Sequence, residues 1–184
     1  QGKATGRFPD GMQMSIMWKD GEFATGTVGR MHYEAQGDFP GRFPLQADPY
    51  ECKYVYVEKS TVPGAGEGLF ALRNLKCGAL ICYYNGTLLT HKVVDDRSWR
   101  YNNNTISLDE DWCIDVPLKH SSSKKYTATL GHKVNSSPEP NCEYCECFHP
   151  FYGAIKGVRA LRDIRKDEEL FTFYDYKGEA RVPH

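Results

Sequence analysis

Apolar and polar positions alternate along much of this chain. Met12, Met14, Ile16 and Trp18 alternate with Gln13, Ser15 and Met17, a period of two that predicts a strand. Asp20-Gly21 behind it is a hairpin turn signal. Val28, Met31 and Tyr33 mark a second strand within residues 26–34. Residues 37–49 are rich in Gly and Pro and carry no period, so they read as a linker with a boundary near Asp48-Pro49-Tyr50. Past it the strand pattern resumes in short runs over 53–58, 79–84, 104–108, 112–116, 142–148, 154–160 and 170–173. Two hairpins are expected, one turning at Asp109-Glu110-Asp111 and one at residues 150–153. Two helical patterns interrupt the strands: 90–99, with Thr90 as N-cap, and 123–131, with Ser123 capping and Gly131 ending it. Many short strands with two short helices predict a β-rich α+β fold and exclude a doubly wound sheet.

Composition narrows the function classes. The 184 residues, 40% hydrophobic and 26% charged, make one domain or one domain plus a small fragment. The net charge of -1 and pI of 6.6 lack the basic excess, a pI above about 9, of a nucleic-acid binder. No apolar run reaches the ~20 residues of a membrane span, and no signal-peptide pattern opens the chain. The first residue, Gln1, makes a fragment the expectation. Seven cysteines, an odd number without the spacing of a disulfide framework, read as reduced thiols in an intracellular protein. Cys142-x-x-Cys145-x-Cys147-x-His149 has ligand-like spacing. On a strand, though, Cys142 faces away from the other three, so free thiols and no metal are expected. Trp18-x-Asp20-Gly21-x-Phe23-x-x-Gly26 is either one degenerate unit of a β-repeat array or a plain hairpin.

Four segments carry candidate chemistry: Ala65-Gly66-Glu67-Gly68-Leu69-Phe70, Tyr83-Tyr84-Asn85-Gly86, residues 130–142 beginning Leu130-Gly131-His132-Lys133-Val134-Asn135-Ser136, and residues 167–176 ending Phe173-Tyr174-Asp175-Tyr176. In this order and at these intervals the chain resembles the SET-domain protein lysine methyltransferases over about residues 50–176. Residues 104–110 and 114–117 bring it nearest the branch of histone-lysine monomethyltransferases that carry N-terminal MORN β-repeats. The resemblance implies a SET domain of several small sheets over 50–184, its C-terminal segment threaded as a pseudoknot. It also implies the end of a MORN-type β-hairpin region over 1–49. S-adenosyl-L-methionine is the implied cofactor and a protein lysine, such as one in a histone tail, the implied substrate. The implied enzyme is a monomer of the nucleus and cytoplasm, with no direct nucleic-acid or membrane partner.

Residue by residue, Ala65, Gly66, Glu67 and Gly68 fall on the family's cofactor-contacting segment. There the glycines would let backbone approach a ligand and Glu67 would meet a cationic amino group. His132, Lys133, Asn135 and Ser136 fall on the second cofactor-facing stretch; a lone His132 would by itself be read as a hydrogen-bonded structural histidine. Tyr174 matches the tyrosine beside the methyl-transfer site, Tyr84 and Tyr144 those that hydrogen-bond the lysine amine, and Tyr176 one lining the lysine channel. Two departures stand out. Ser136 replaces the family's His, and the chain ends soon after Tyr176, where the family continues with an aromatic residue over the adenine. They leave open a catalytically weak SET-fold peptide-binding or scaffold module, and the cysteine cluster leaves open a metal-binding interaction domain. Asp109, Glu110, Asp111, Glu139, Glu143, Glu146 and Asp167-Glu168-Glu169 recur near the proposed substrate side; such runs are usually solvated faces, but several lining one groove would favour a basic peptide such as a histone tail.

Overall fold

The structure is a computed structural model. It describes residues 2–7, 13–19, 22–28, 31–34, 47–122, 124, 127–149 and 152–174. At the N-terminus β1 (Gly2–Arg7), β2 (Gln13–Lys19), β3 (Glu22–Val28) and β4 (Met31–Glu34) form an antiparallel meander in sequence order. The strand expected over 26–34 is split between β3 and β4, since Val28 pairs with Met31 across a reversal. The Asp20-Gly21 turn lies outside the described residues.

The main body is built of small sheets. β5 (Val55–Lys59) pairs antiparallel with β6 (Glu67–Ala71), and β7 (Leu80–Tyr84) is followed by β8 (Thr87–Thr90). After α1 (His91–Asp96) come β9 (Thr105–Ser107) and β10 (Trp112–Asp115), the expected hairpin, joined by β8 in the order β8-β10-β9. β11 (Asn135–Ser136) precedes the second expected hairpin, β12 (Cys142–His149) and β13 (Gly153–Ala160), which extends to β7 in the order β12-β13-β7. β14 (Phe171–Thr172) closes the fold in parallel with β11. No helix of the described residues is long and apolar enough to cross a membrane.

Both helix expectations are adjusted. Thr90 caps α1 as expected, its Oγ1 accepting from Val93 N at 3.4 Å. The helix stops at Asp96 rather than 99, because Arg97 turns to extended backbone and commits its side chain elsewhere. No helix appears among the described residues of 123–131; a short 3-10 turn, Leu130–Lys133, stands at its end. Gly131 lies inside that turn and packs on β7, where a Cβ would meet Tyr83 O at 2.6 Å and Tyr84 Cβ at 2.7 Å. Gly131 is therefore a contact residue, not a helix stop.

β7 is buried along its whole length and feeds two apolar clusters. Ile81 and Cys82 join Val55, Leu69, Val134, Val158 and Leu170, while Leu80, Tyr83 and Tyr84 join Tyr50, Ile114, Val116 and Ile155. Several polar groups inside this core are paired, as burial favours. The buried Glu51 carboxylate accepts from Leu130 N at 2.9 Å and Tyr83 N at 3.3 Å, tying the 3-10 turn to β7. Asp48, read from sequence as linker, is fully buried: it accepts from Tyr50 N at 2.7 Å and from His149 Nε2 at 2.9 Å. His149 Nδ1 accepts from Tyr152 N at 3.2 Å, which fixes the neutral tautomer protonated on Nε2. Burial also holds the His149 pKa below its ordinary value, against the pull of Asp48. Both His149 nitrogens are thus engaged, and the described residues hold no group of three or more side chains placed to bind a metal.

Asp48→Ala should leave His149 Nε2–H buried without its acceptor and lower the unfolding free energy by about 2–4 kcal/mol. Urea titration followed by circular dichroism measures this.

Candidate active site

The C-terminal strand reaches the site because one carboxylate holds three parts of the chain together. Glu169 is buried, and its oxygens accept from Ser60 Oγ at 2.6 Å, Thr61 N at 2.7 Å, Thr61 Oγ1 at 2.5 Å and Asn135 Nδ2 at 3.2 Å. Burial would raise its pKa, but the hydrogen bonds from Ser60, Thr61 and Asn135 outweigh it and hold the carboxyl below its ordinary value. Asn135 Nδ2 also donates to Ser60 Oγ at 3.0 Å and Glu67 O at 3.1 Å. Around this knot, Leu170 N bonds Leu69 O, and Asn141 brackets the segment by donating to Glu169 O and accepting from Phe171 N, each at 2.8 Å.

The packing bears on two sequence readings. Gly68 is a glycine because Glu169 fills the space beside it: a Cβ would lie 2.2 Å from Glu169 Oε1 and 3.3 Å from Asn135 Nδ2. Of this pair, Gly66 has the left-handed φ, +76°, that glycine tolerates freely, and nothing lies within 4 Å of its Cβ position. None of the acidic residues lines the tyrosine cavity described below. Glu169 is interior, Glu143 pairs with Arg159 at 2.6 Å, Glu168 with Arg162 at 2.6 Å, and Asp109 caps its own turn through Asp111 N and Trp112 N.

Beyond the knot, Tyr174 is set by Ser136. Its N–H donates to Ser136 Oγ at 3.1 Å and its hydroxyl donates to Val134 O, so the serine that departs from the family pattern fixes the backbone of Tyr174. Tyr144 projects from β12 and donates to Gly131 O at 3.2 Å. Tyr84, at the end of β7, meets the Tyr144 ring edge-on at 5.7 Å, and Tyr144 stacks near Tyr174 at 6.5 Å. These three tyrosines and His132 line one cavity of ≈330 Å³. Burial, followed by the proximity of Tyr174 and Tyr84, pushes the Tyr144 pKa well above its ordinary value, so it is a neutral phenol at pH 7. Tyr176 lies outside the described residues.

His132 completes the wall from the 3-10 turn. Its Nδ1 donates to Thr129 O at 2.7 Å, and its Nε2 faces Ser121 O at 3.5 Å. Burial, aided by the neighbouring Lys133 charge, lowers its pKa to about 4, so it is neutral at pH 7. This is a structural, hydrogen-bonded histidine. Beside it, Lys133 Nζ pairs with the Glu67 carboxylate at 2.7 Å; the lysine side chain is 12% exposed and the glutamate 46%. One cation and one anion side by side complement a zwitterionic amino-acid end, so the residues present fit the methionyl part of S-adenosylmethionine. Ala65 and Gly66 stand exposed just ahead of Glu67.

Much of the cavity comes from residues that motif reading did not mark. His91 and Val94 of α1, Trp99, Thr105, Cys113 and Phe173 all line it. Their sequence signal was helix and hairpin placement; nothing in their spacing marked them as a shared wall. None of the lining residues carries a carboxylate.

Small packed sheets, a parallel β11–β14 contact and a tyrosine-lined cavity define the class, and the comparisons agree. The SET domain family model matches residues 66–175, and the chain belongs to that family. It is 45% identical over 134 residues to histone-lysine N-methyltransferase SETD7 of Halocynthia roretzi, an alignment covering 73% of this chain and 35% of that protein. It is 30% identical over 118 residues to the probable histone-lysine N-methyltransferase set-23 of Caenorhabditis elegans, covering 62% of this chain and 47% of that one. The chain therefore spans less than half of either relative. Among solved structures, an active polycomb repressive complex 2 in the basal state superposes with a TM-score of 0.54 at 24% identity, over 67% of this chain and 15% of that one, a likeness of fold.

Two predictions follow from these contacts. Asn135→Ala removes a donor from Glu169 and from Ser60, and should lower the unfolding free energy by about 1–3 kcal/mol, read by urea denaturation. The second concerns His132, whose folded pKa of about 4 lies below the ordinary 6.5. The unfolded chain takes up that proton first as pH falls, so the stability present above pH 6.5 is lost on the way down to 4. Between pH 7.5 and 4.5 the unmutated chain should lose about 2 kcal/mol more than His132→Gln; equal losses would refute the neutral buried imidazole.

Proposed function

We propose that this chain is an S-adenosylmethionine-dependent protein-lysine N-methyltransferase that transfers a single methyl group, with a histone tail or another protein lysine as substrate. The observation that carries the reading is the convergence of Tyr84, Tyr144 and Tyr174, from three separate segments, on one cavity. The activity in the names of the SETD7 and set-23 relatives supports it. Nuclear action follows from a histone substrate. The N-terminal meander and the Gly-rich unit at 18–26 support reading residues 1–49 as the end of a MORN-type region.

The cofactor, when bound, supplies an electrophilic methyl on a cationic sulfonium. Lys133 and Glu67 would hold its carboxylate and ammonium ends, and the main chain of Asn135 and Ser136 would flank it. The protein's task is then to present a neutral lysine amine. A free lysine titrates near 10.4; burial among apolar and aromatic side chains disfavours its ammonium form, and a nearby positive charge disfavours it further. The Tyr84 and Tyr144 hydroxyls orient the amine lone pair, which removes rotational freedom before reaction. Tyr144 is no general base, because its own proton is held well above neutral pH. His132 is already committed to Thr129 O.

Product degree follows from the space the hydroxyls fill. With Tyr84 and Tyr144 both present, transfer should stop at monomethyl-lysine. Tyr144→Phe deletes one oxygen and keeps the ring, and should let dimethyl-lysine accumulate; a shift of about 1.4 kcal/mol changes the partition tenfold. Mass spectrometry of a lysine peptide after exhaustive reaction decides the matter. Dimethyl product from the unmutated chain, or none from an active Tyr144→Phe, would reject this role. Calorimetric binding of S-adenosylmethionine without turnover on any lysine peptide would instead favour a scaffold.

A further inference from the structure

We propose that Arg97 is the positioning residue for one wall of the cavity, and that its guanidinium sets peptide affinity without touching the reaction centre; this rests on reading the cavity as the lysine-peptide site. Arg97 does not line the cavity, but Val94, Trp99, Asn102, Asn103 and Thr105 do. These residues run from the end of α1 to the start of β9, a stretch whose own regular structure is a single 3-10 turn, Trp99–Tyr101. Something else must hold it.

The guanidinium does so from behind. Nε donates to Asn102 Oδ1 at 2.6 Å, and Nη2 lies within donating distance of Asp115 Oδ1 at 2.8 Å, Thr105 Oγ1 at 2.8 Å and Tyr101 O at 3.1 Å. Nη1 reaches Asp115 Oδ2 at 3.5 Å. The acceptors extend the network: Thr105 Oγ1 donates to Asp115 Oδ1 at 2.6 Å, and Asn102 Nδ2 donates to Val94 O at 3.1 Å. The Arg97 and Asp115 side chains are 23% and 6% exposed, so water screens the pair weakly. Asp115 is anchored in turn, because Gly86 packs directly on it; a Cβ there would lie 2.2 Å from Asp115 O. Gly86 stands two residues beyond Tyr84. The wall is thereby referenced to the strand that carries a substrate-facing tyrosine. Only a planar fork serves these acceptors together, and a lysine ammonium is a point charge on a flexible stem.

Arg97→Lys in the full chain keeps the charge opposite Asp115 and loses the fork. The KM for a lysine peptide should rise about tenfold, with kcat within about threefold and S-adenosylmethionine affinity within about twofold, the signature of lost ground-state positioning. Hydrogen exchange reads the same device without turnover. The amides of Tyr101, Asn102 and Thr105, which bond Ser98 O, Trp99 O and Asn102 O, should exchange about tenfold faster while β7 amides keep their protection. Unchanged exchange over 98–105, or kcat and cofactor affinity falling together with peptide affinity, would overturn the assignment. Asp115→Asn, a residue outside the cavity lining, removes the charge opposite the guanidinium at nearly constant shape and should give the same pattern at smaller amplitude; it decides the question if Arg97→Lys does not fold. Should the unmutated chain methylate no lysine peptide, the proposed function fails, and the exchange comparison alone decides the role of Arg97.

Discussion

A buried carboxylate must gather donors, and Glu169 gathers them from two distant parts of the chain: Ser60 and Thr61, and Asn135. That requirement fixes where residues 168–174 run. With Glu169 seated, Leu170 enters the core, Phe171 and Thr172 pair with Asn135 and Ser136, and Tyr174 arrives at the cavity. Gly68 is the cost of the arrangement, since no side chain fits beside the carboxylate. The same few residues therefore connect the Glu67–Lys133 ledge on β6 to the tyrosine cavity.

The cavity is electrically quiet. Tyr144 stays a phenol, His132 stays neutral, and no carboxylate lines the space. For the proposed transfer to an uncharged amine, a base in the wall would be unnecessary and a carboxylate would favour the wrong, protonated form of the substrate. The Glu67–Lys133 pair stands outside the cavity lining, and under the proposed function it would meet the charged ends of the cofactor. Arg97 and Asp115 neutralise each other behind the wall.

Much of this was legible in the residues. Alternation marked both hairpins of the main body, Thr90 marked the start of α1, and the motif segments brought Tyr84, Tyr144 and Tyr174 together before any coordinates did. What was illegible depended on contacts between distant segments. Gly131 looked like a helix stop because local pattern cannot show that a turn will lie on β7. Glu169 looked like one of a solvated acidic run because nothing local shows Ser60, Thr61 and Asn135 converging on it. Arg97 carried no motif at all: its acceptors are separated from it by up to 18 positions and meet it only in the fold.

The most direct test of this account is the equilibrium unfolding of Glu169→Ala in urea at pH 7. If the carboxylate is the tie that seats the C-terminal strand, its removal leaves several donors without an acceptor and should lower the unfolding free energy by about 3 kcal/mol or more. A loss below about 1 kcal/mol, within the range of an ordinary exposed ion pair, would contradict it.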